Sequence, residues 1–200
     1  DRLTVFLFLP VSVPVKEVIM LDCSKNYFEL FGLPVGYIVD SRQLAERYRE
    51  LQRVVHPDRY ANASAAEKRL SVQGAALINE AYQALKDPML RGRYLLLLNG
   101  IDMNAGNETI QDAGFLMEQL ELREEMANAR NASDPYAVIS ELMAGINKRI
   151  NSLVGQMAVQ FETSTPEQLE AAREILRKMQ FLQKLRHDAE SLEGELDEAL

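Results

Sequence analysis

From residue 26 onward, apolar residues recur at steps of three and four, and polar punctuation cuts this pattern into separate helices. The stretch "NYFELFGLP" (26–34) predicts a short helix stopped by Gly32 and Pro34. Asp40, with Gln43 in capping-box position, opens a second helix, along which Leu44, Tyr48, Leu51 and Val55 return on one face. Pro57 ends it, because proline lacks an N–H and pushes the preceding residue out of helical geometry. Ser64 and Glu67 form a capping box for a third helix, with Leu70, Leu77, Ala81 and Leu85 as its inward stripe and Asp87-Pro88 as its stop. The run "MLRGRYLLLLNG" predicts a short bridging helix whose leucines 95–98 are buried in an inter-domain contact.

A polar, Gly/Asn-rich stretch (101–111) reads as a linker. Three more helices are predicted beyond it. The first spans about 113–129. The second is launched by Ser133-Asp134-Pro135 and carries Ile139, Met143, Ile146, Ile150, Leu153, Met157 and Phe161. The third is capped by Thr165 to Gln168 and settles into the seam Leu182, Leu185, Ala189, Leu192, Leu196. No strand-period stretch competes after residue 20. The expected fold is all-α: an extension of uncertain origin (1–19), a helical hairpin with its bridging helix (20–98), a linker (99–112) and a three-helix bundle (113–200).

Two hundred residues suffice for two small domains, each with a modest core. The net charge of −8 speaks against nucleic acid, whose binding depends on neutralising phosphates with Lys and Arg. Cys23 is the single cysteine, so neither an internal disulfide nor a thiolate zinc cluster can form, and a reducing, cytosolic setting is expected. "LTVFLFLPVSVPV" (3–15) is apolar but short for a membrane span and lacks a small-residue cleavage site. Because Met20 follows, it reads as an appended extension or an early assigned start, with an edge strand or tether as the alternative. No membrane association is expected.

Two places carry candidate chemistry. At about 100° per residue, Arg42, Arg49 and Arg53 fall opposite the apolar face of the second helix, with Glu46 among them and Arg47 at the margin. Beside them, His56-Pro57-Asp58 offers an imidazole that donates and accepts and a carboxylate that only accepts, across a stiff proline. The plain alternative is a helix stop with a loop histidine. As an acid–base pair, His56 and Asp58 lack a third catalytic partner, and His187 sits in a charged helix where a solvated or helix-dipole role fits better than metal ligation. No Gly-rich phosphate loop is present, and no catalytic residue, metal ligand or cofactor is expected.

The helix beginning near 113 has two apolar directions. Phe115, Leu122 and Met126 share one, while Leu116, Met117 and Leu120 share another that contains Glu124 and has Glu121 at its edge. A bundle could bury both stripes, but carboxylates inside the second would be costly to bury unpaired. An exposed apolar patch rimmed by charge marks a protein contact.

"YFELFGLP", then "HPDRY", then "INEAYQALKDP" with Arg91 and Tyr94 beyond it, resembles the J-domain of DnaJ-type co-chaperones. "FLMEQLELREE" (115–125) and "QFLQKLR" (180–186) resemble the carboxy-terminal domain of the HscB family, co-chaperones of bacterial iron–sulfur cluster assembly. The resemblance spans about 26–196 and agrees with the absence of a Gly/Phe-rich region and of CxxC zinc modules. Arg59 stands where many J-domains carry lysine, which keeps the charge. The resemblance implies an L-shaped two-domain, non-enzymatic protein of the bacterial cytoplasm. It implies a DnaK-like chaperone of HscA type whose ATPase is stimulated through His56, Pro57, Asp58, Arg42, Arg47, Arg49 and Arg53. It also implies an IscU-type scaffold protein held by Leu116, Met117, Leu120, Glu121, Glu124 and Phe181. The alternatives are a general J-domain co-chaperone delivering other clients, and a helical adaptor whose loop is idle.

Overall fold

The computed structural model describes residues 25–103 and 112–198. The segment 1–19, Cys23 and the linker residues 104–111 lie outside the described residues. Among the described residues every regular element is helical: α1 (Tyr27–Phe31), α2 (Ser41–Val55), a 3-10 turn (Pro57–Tyr60), α3 (Ala65–Lys86), α4 (Pro88–Leu98), α5 (Ala113–Ala129), α6 (Pro135–Gln160) and α7 (Pro166–Glu198). The chain divides into two compact units, one comprising the chain up to Val35 with Asp40–Leu85, the other Gly36–Val39 with Lys86–Leu200.

In the first unit local sequence sets each helix end. Asn26 and Glu29 form a reciprocal capping box on α1, and Gly32 closes it in the left-handed region at φ 63°. The Asp40 carboxylate accepts from the N–H groups of Arg42 and Gln43, opening α2. Ser64 and Glu67 exchange the expected pair of bonds at the start of α3, which holds the Glu67 carboxyl below its usual range. Helices α2 and α3 run antiparallel: Tyr48 stacks on Tyr82 with centroids 4.1 Å apart and donates to Asn79 Oδ1 at 2.8 Å, whereas Val55 meets Ser71, so partners descend as α2 ascends. The core contains Phe28, Phe31, Leu44, Val55, Ile78, Ala81 and Leu85.

The inward face of α3 differs from the expected stripe. Leu70 is exposed and Leu77 half-buried, while Ser71, Gly74, Ile78, Ala81 and Leu85 point inward. This series keeps helical spacing, but its first two members are a hydroxyl and a glycine. Reading the face from large apolar residues alone therefore placed its beginning one residue early.

In the second unit α6 and α7 are antiparallel neighbours, and α5 packs against both. Buried residues are Phe115, Leu122 and Ala129 on α5, Ile139, Leu142, Ile146, Leu153 and Met157 on α6, and nine positions of α7 from Leu169 to Leu192. Met143 and Ile150, expected in the α6 stripe, are half-buried, and Leu142 takes a full core place. Helix α4, assigned from sequence to the first domain, packs here on α6 and α7. Gly92 is buried where α4 meets α6, and a Cβ there would sit 3.4 Å from the end of the Met157 side chain, in ordinary contact distance. Of its leucine run, Leu95 and Leu96 are buried, whereas Leu97 and Leu98 remain exposed. A short helix shows a stripe without showing which neighbour covers it.

Tyr37 joins this unit, stacked on Phe161 at 5.7 Å and lying under the Arg91 guanidinium at 5.0 Å. Its buried hydroxyl has no hydrogen-bond partner among the described residues, and burial pushes its ionisation up to about 12, with Arg91 opposing and Asp87 adding to the rise. An unfolded tyrosine ionises near 10, so above that pH the unfolded chain releases a proton that the folded chain keeps, and stability falls as pH rises. Tyr37→Phe is expected to leave the melting temperature at neutral pH unchanged or raised, since an unpaired buried hydroxyl is removed. It should also lessen the alkaline loss of stability, as read by thermal melts from about pH 9 to about pH 11. A neutral-pH melting temperature lowered by several degrees would show that the hydroxyl has a partner.

Candidate functional site

The end of α2 explains how His56, Pro57 and Asp58 come to face solvent. A helix leaves its last carbonyls without intrahelical donors, and here the proline removes one donor that the next turn would have supplied. Three side chains meet those carbonyls: Arg59 Nη1 donates to Arg53 O at 3.1 Å, the Tyr60 hydroxyl to Val54 O at 3.2 Å, and the Ser71 hydroxyl to Val55 O at 2.6 Å. Tyr60 is buried beneath the loop, and Ser71 is only 5% exposed. The chain therefore leaves α2 in a tight 3-10 turn whose polar side chains point outward.

Within this turn the Asp58 N–H donates to His56 Nδ1 at 3.3 Å, and Nδ1 lies 3.6 Å from the Asp58 carboxylate. With the Nδ1 lone pair so used, the neutral ring carries its proton on Nε2. The side chains of His56 and Asp58 are 55% and 90% exposed. Neither has another side-chain partner among the described residues, and both stand in water, an arrangement unlike the enclosed, oriented pair that acid–base catalysis uses. Arg42, Arg47, Arg49 and Arg53 are all exposed on α2. Arg47 pairs with Glu50 at 2.9 Å, whereas Arg42, Arg49 and Arg53 have no acidic partner among the described residues. The result is a basic face beside a protruding imidazole and carboxylate, able to make charge-assisted contacts with an acidic surface.

The second place lies on α5. Asp112 caps the helix by accepting from the Phe115 N–H at 3.0 Å, and Lys178 on α7 binds the same carboxylate, holding it below the usual carboxylate range. On the other flank Arg149 of α6 pairs with Glu118. Phe115 meets Phe181 edge-on at 5.7 Å, and the Arg123 guanidinium lies 5.2 Å from the Phe181 centroid. These contacts press the Phe115, Leu122 and Met126 side of α5 against its neighbours and leave the other side uncovered.

On that uncovered side Leu116, Met117 and Leu120 are 42%, 60% and 53% exposed, and Glu121 and Glu124 are exposed beside them. Phe181 is half-buried under Arg123, which stands one turn from Leu120 and two turns from Leu116 along α5. The structure thus decides between two buried stripes and one: only the first is buried. His187 is exposed in the second half of α7, about three turns before its end.

Sequence reasoning missed Tyr60 and Ser71, and it noted Arg59 for its charge alone. A signal was present, since Pro57 necessarily deprives Arg53 O of its donor, but the residues that answer it lie 6 and 16 positions away from the carbonyls they cap. Among the described residues no group of three or more His, Cys, Asp or Glu side chains converges to hold a metal ion, and no helix is long and apolar enough to cross a membrane.

Comparison with known proteins finds two family matches in succession along the chain. Residues 26–94 match the DnaJ domain family, and residues 111–190 match the family described as the HSCB C-terminal oligomerisation domain. The chain is 40% identical over 173 residues to a co-chaperone protein HscB homolog of Shewanella woodyi, covering 86% of this chain and 99% of the relative. To the homolog of Vibrio cholerae serotype O1 it is 44% identical over 171 residues, covering 86% and 98%. Among solved structures, the chaperone HscB from Vibrio cholerae superposes with a TM-score of 0.74 at 40% identity, covering 86% of this chain and 99% of that one. The crystal structure of the human co-chaperone protein HscB superposes with a TM-score of 0.78 at 31% identity, covering 86% and 84%. With a DnaJ-domain match followed by an HSCB C-terminal match, and with the bacterial relatives at about 40% identity over nearly their whole length, the chain belongs to the HscB family of J-domain co-chaperones.

Proposed function

We propose that this co-chaperone docks its His56–Pro57–Asp58 loop and the basic face of α2 on a DnaK-like chaperone of HscA type and stimulates that chaperone's ATPase. We propose further that the exposed stripe of α5, with Phe181, holds an IscU-type iron–sulfur scaffold protein and delivers it to the same chaperone in the bacterial cytoplasm. The supporting observation is the loop itself: an imidazole and a carboxylate project into water from a capped hairpin, beside three arginines with no acidic partner among the described residues. Acceleration needs no chemistry from this chain. A surface that fits the hydrolysis-competent state of the partner better than its resting state shifts the partner's population.

Holding both partners at once makes the second encounter intramolecular and raises the effective concentration of scaffold beside the chaperone. Steady-state ATPase assays with an HscA-type chaperone test this. The chain alone should stimulate, and chain plus IscU-type scaffold should exceed the sum of their separate effects. Equal synergy with an unrelated unfolded protein would point instead to a general client-delivering J-protein, and no stimulation in any combination would remove the reading.

A further inference from the structure

The bonds at the end of α2 compete with one another. In an uninterrupted helix the carbonyls of Arg53, Val54 and Val55 would accept from the N–H groups of residues 57, 58 and 59. Residue 57 is a proline and has none. The Asp58 N–H is turned to His56 Nδ1 at 3.3 Å, and the Arg59 N–H to His56 O at 3.0 Å. The turn that aims the imidazole therefore uses the donors that two of these carbonyls would otherwise take. It can persist because Arg59, Tyr60 and Ser71 supply replacements from their side chains. A carbonyl deprived of its replacement would compete for the Asp58 or Arg59 N–H and release the ring.

We infer that Tyr60 and Ser71, together with Arg59, are positioning residues for the chaperone-docking loop: by capping the Arg53, Val54 and Val55 carbonyls they hold His56 and Asp58 in the geometry that the partner reads. The inference rests on the docking role proposed above and extends it to residues that a partner need not touch, since Tyr60 and Ser71 are buried. Their contribution is to the population of the competent loop, and a partner's apparent affinity scales with that population.

Two substitutions test this without altering charge. Tyr60→Phe removes one hydroxyl and keeps the buried ring, and Ser71→Ala removes the other. Each is expected to raise the co-chaperone concentration giving half-maximal ATPase stimulation by about threefold, and the pair by about tenfold, with the maximal rate unchanged. The assay is run at a temperature where circular dichroism shows every variant fully folded, so a loss of folded protein cannot imitate the shift. In parallel, imidazole nitrogen chemical shifts should show the Nε2–H tautomer of His56 in the parent chain and a mixture of tautomers in the double variant. His56→Gln is measured alongside. Half-maximal concentrations and imidazole shifts unchanged in both variants, with His56→Gln inactive, would overturn the positioning role and leave the docking role standing. Full stimulation by His56→Gln would remove the docking role and the positioning role with it.

Discussion

His56→Gln and Asp58→Asn are each expected to bring the chaperone's ATPase close to its basal rate at the co-chaperone concentration that gives half-maximal stimulation by the parent, while the helical content and melting temperature stay close to those of the parent. The two effects separate because of where these side chains sit. Both are solvated in the free protein, so their loss disturbs little: surface substitutions of this kind cost within about 0.5 kcal/mol, and the Gln variant also gives up the modest His56 Nδ1 bond to the Asp58 N–H. In a docked complex the same groups would be desolvated against a partner. Truncating one member of a buried, charge-assisted pair there costs about 2–5 kcal/mol, a loss of roughly thirtyfold or more. Asp58→Asn is the sharper variant, since it keeps shape and changes only charge and hydrogen-bonding capacity. Full stimulation by both variants, measured in steady-state assays with their folds checked by circular dichroism, would sink the proposed docking loop.

The second large effect is expected at α5. Leu116→Ala combined with Leu120→Ala should weaken binding of an IscU-type scaffold by about 2 kcal/mol, roughly thirtyfold, on the basis that each side chain buries most of its remaining exposed apolar surface on association. Because both leucines are about half exposed in the free chain, the same pair should barely move the melting temperature. Chaperone stimulation in the absence of scaffold should also be unaffected, since these positions lie on a different unit from the loop. Titration calorimetry decides the matter: unchanged scaffold affinity in the double variant would remove α5 from the proposed interface.

The caps were legible because they act within three or four residues. Asp40, Ser64 with Glu67, Asp134, and Thr165 with Gln168 all bond as their spacing predicts. The same locality made the loop position legible, since Pro57 ends α2 whatever surrounds it. Leu70 was misplaced because Ser71 and Gly74, which face inward beside α2, carry no apolar signal. The α4 leucines show the complementary limit: four consecutive leucines cannot all face one way on a helix, and their sequence does not say which two are covered.

The amino-acid sequence by itself determined that this protein is helical, where its helices begin and end, and that an imidazole, a proline and a carboxylate occupy the break between two of them. Those outcomes follow from donors, acceptors and φ restrictions that operate over one turn of chain. Only the tertiary structure decided which faces are covered: that α5 is pinned on one side by Lys178, Arg149 and Phe181 and so leaves Leu116, Met117 and Leu120 in water, and that Tyr60 and Ser71 cap the helix from which His56 projects. Burial is a property of neighbours brought together from distant positions, and a local pattern shows that a face is apolar without naming what will lie against it.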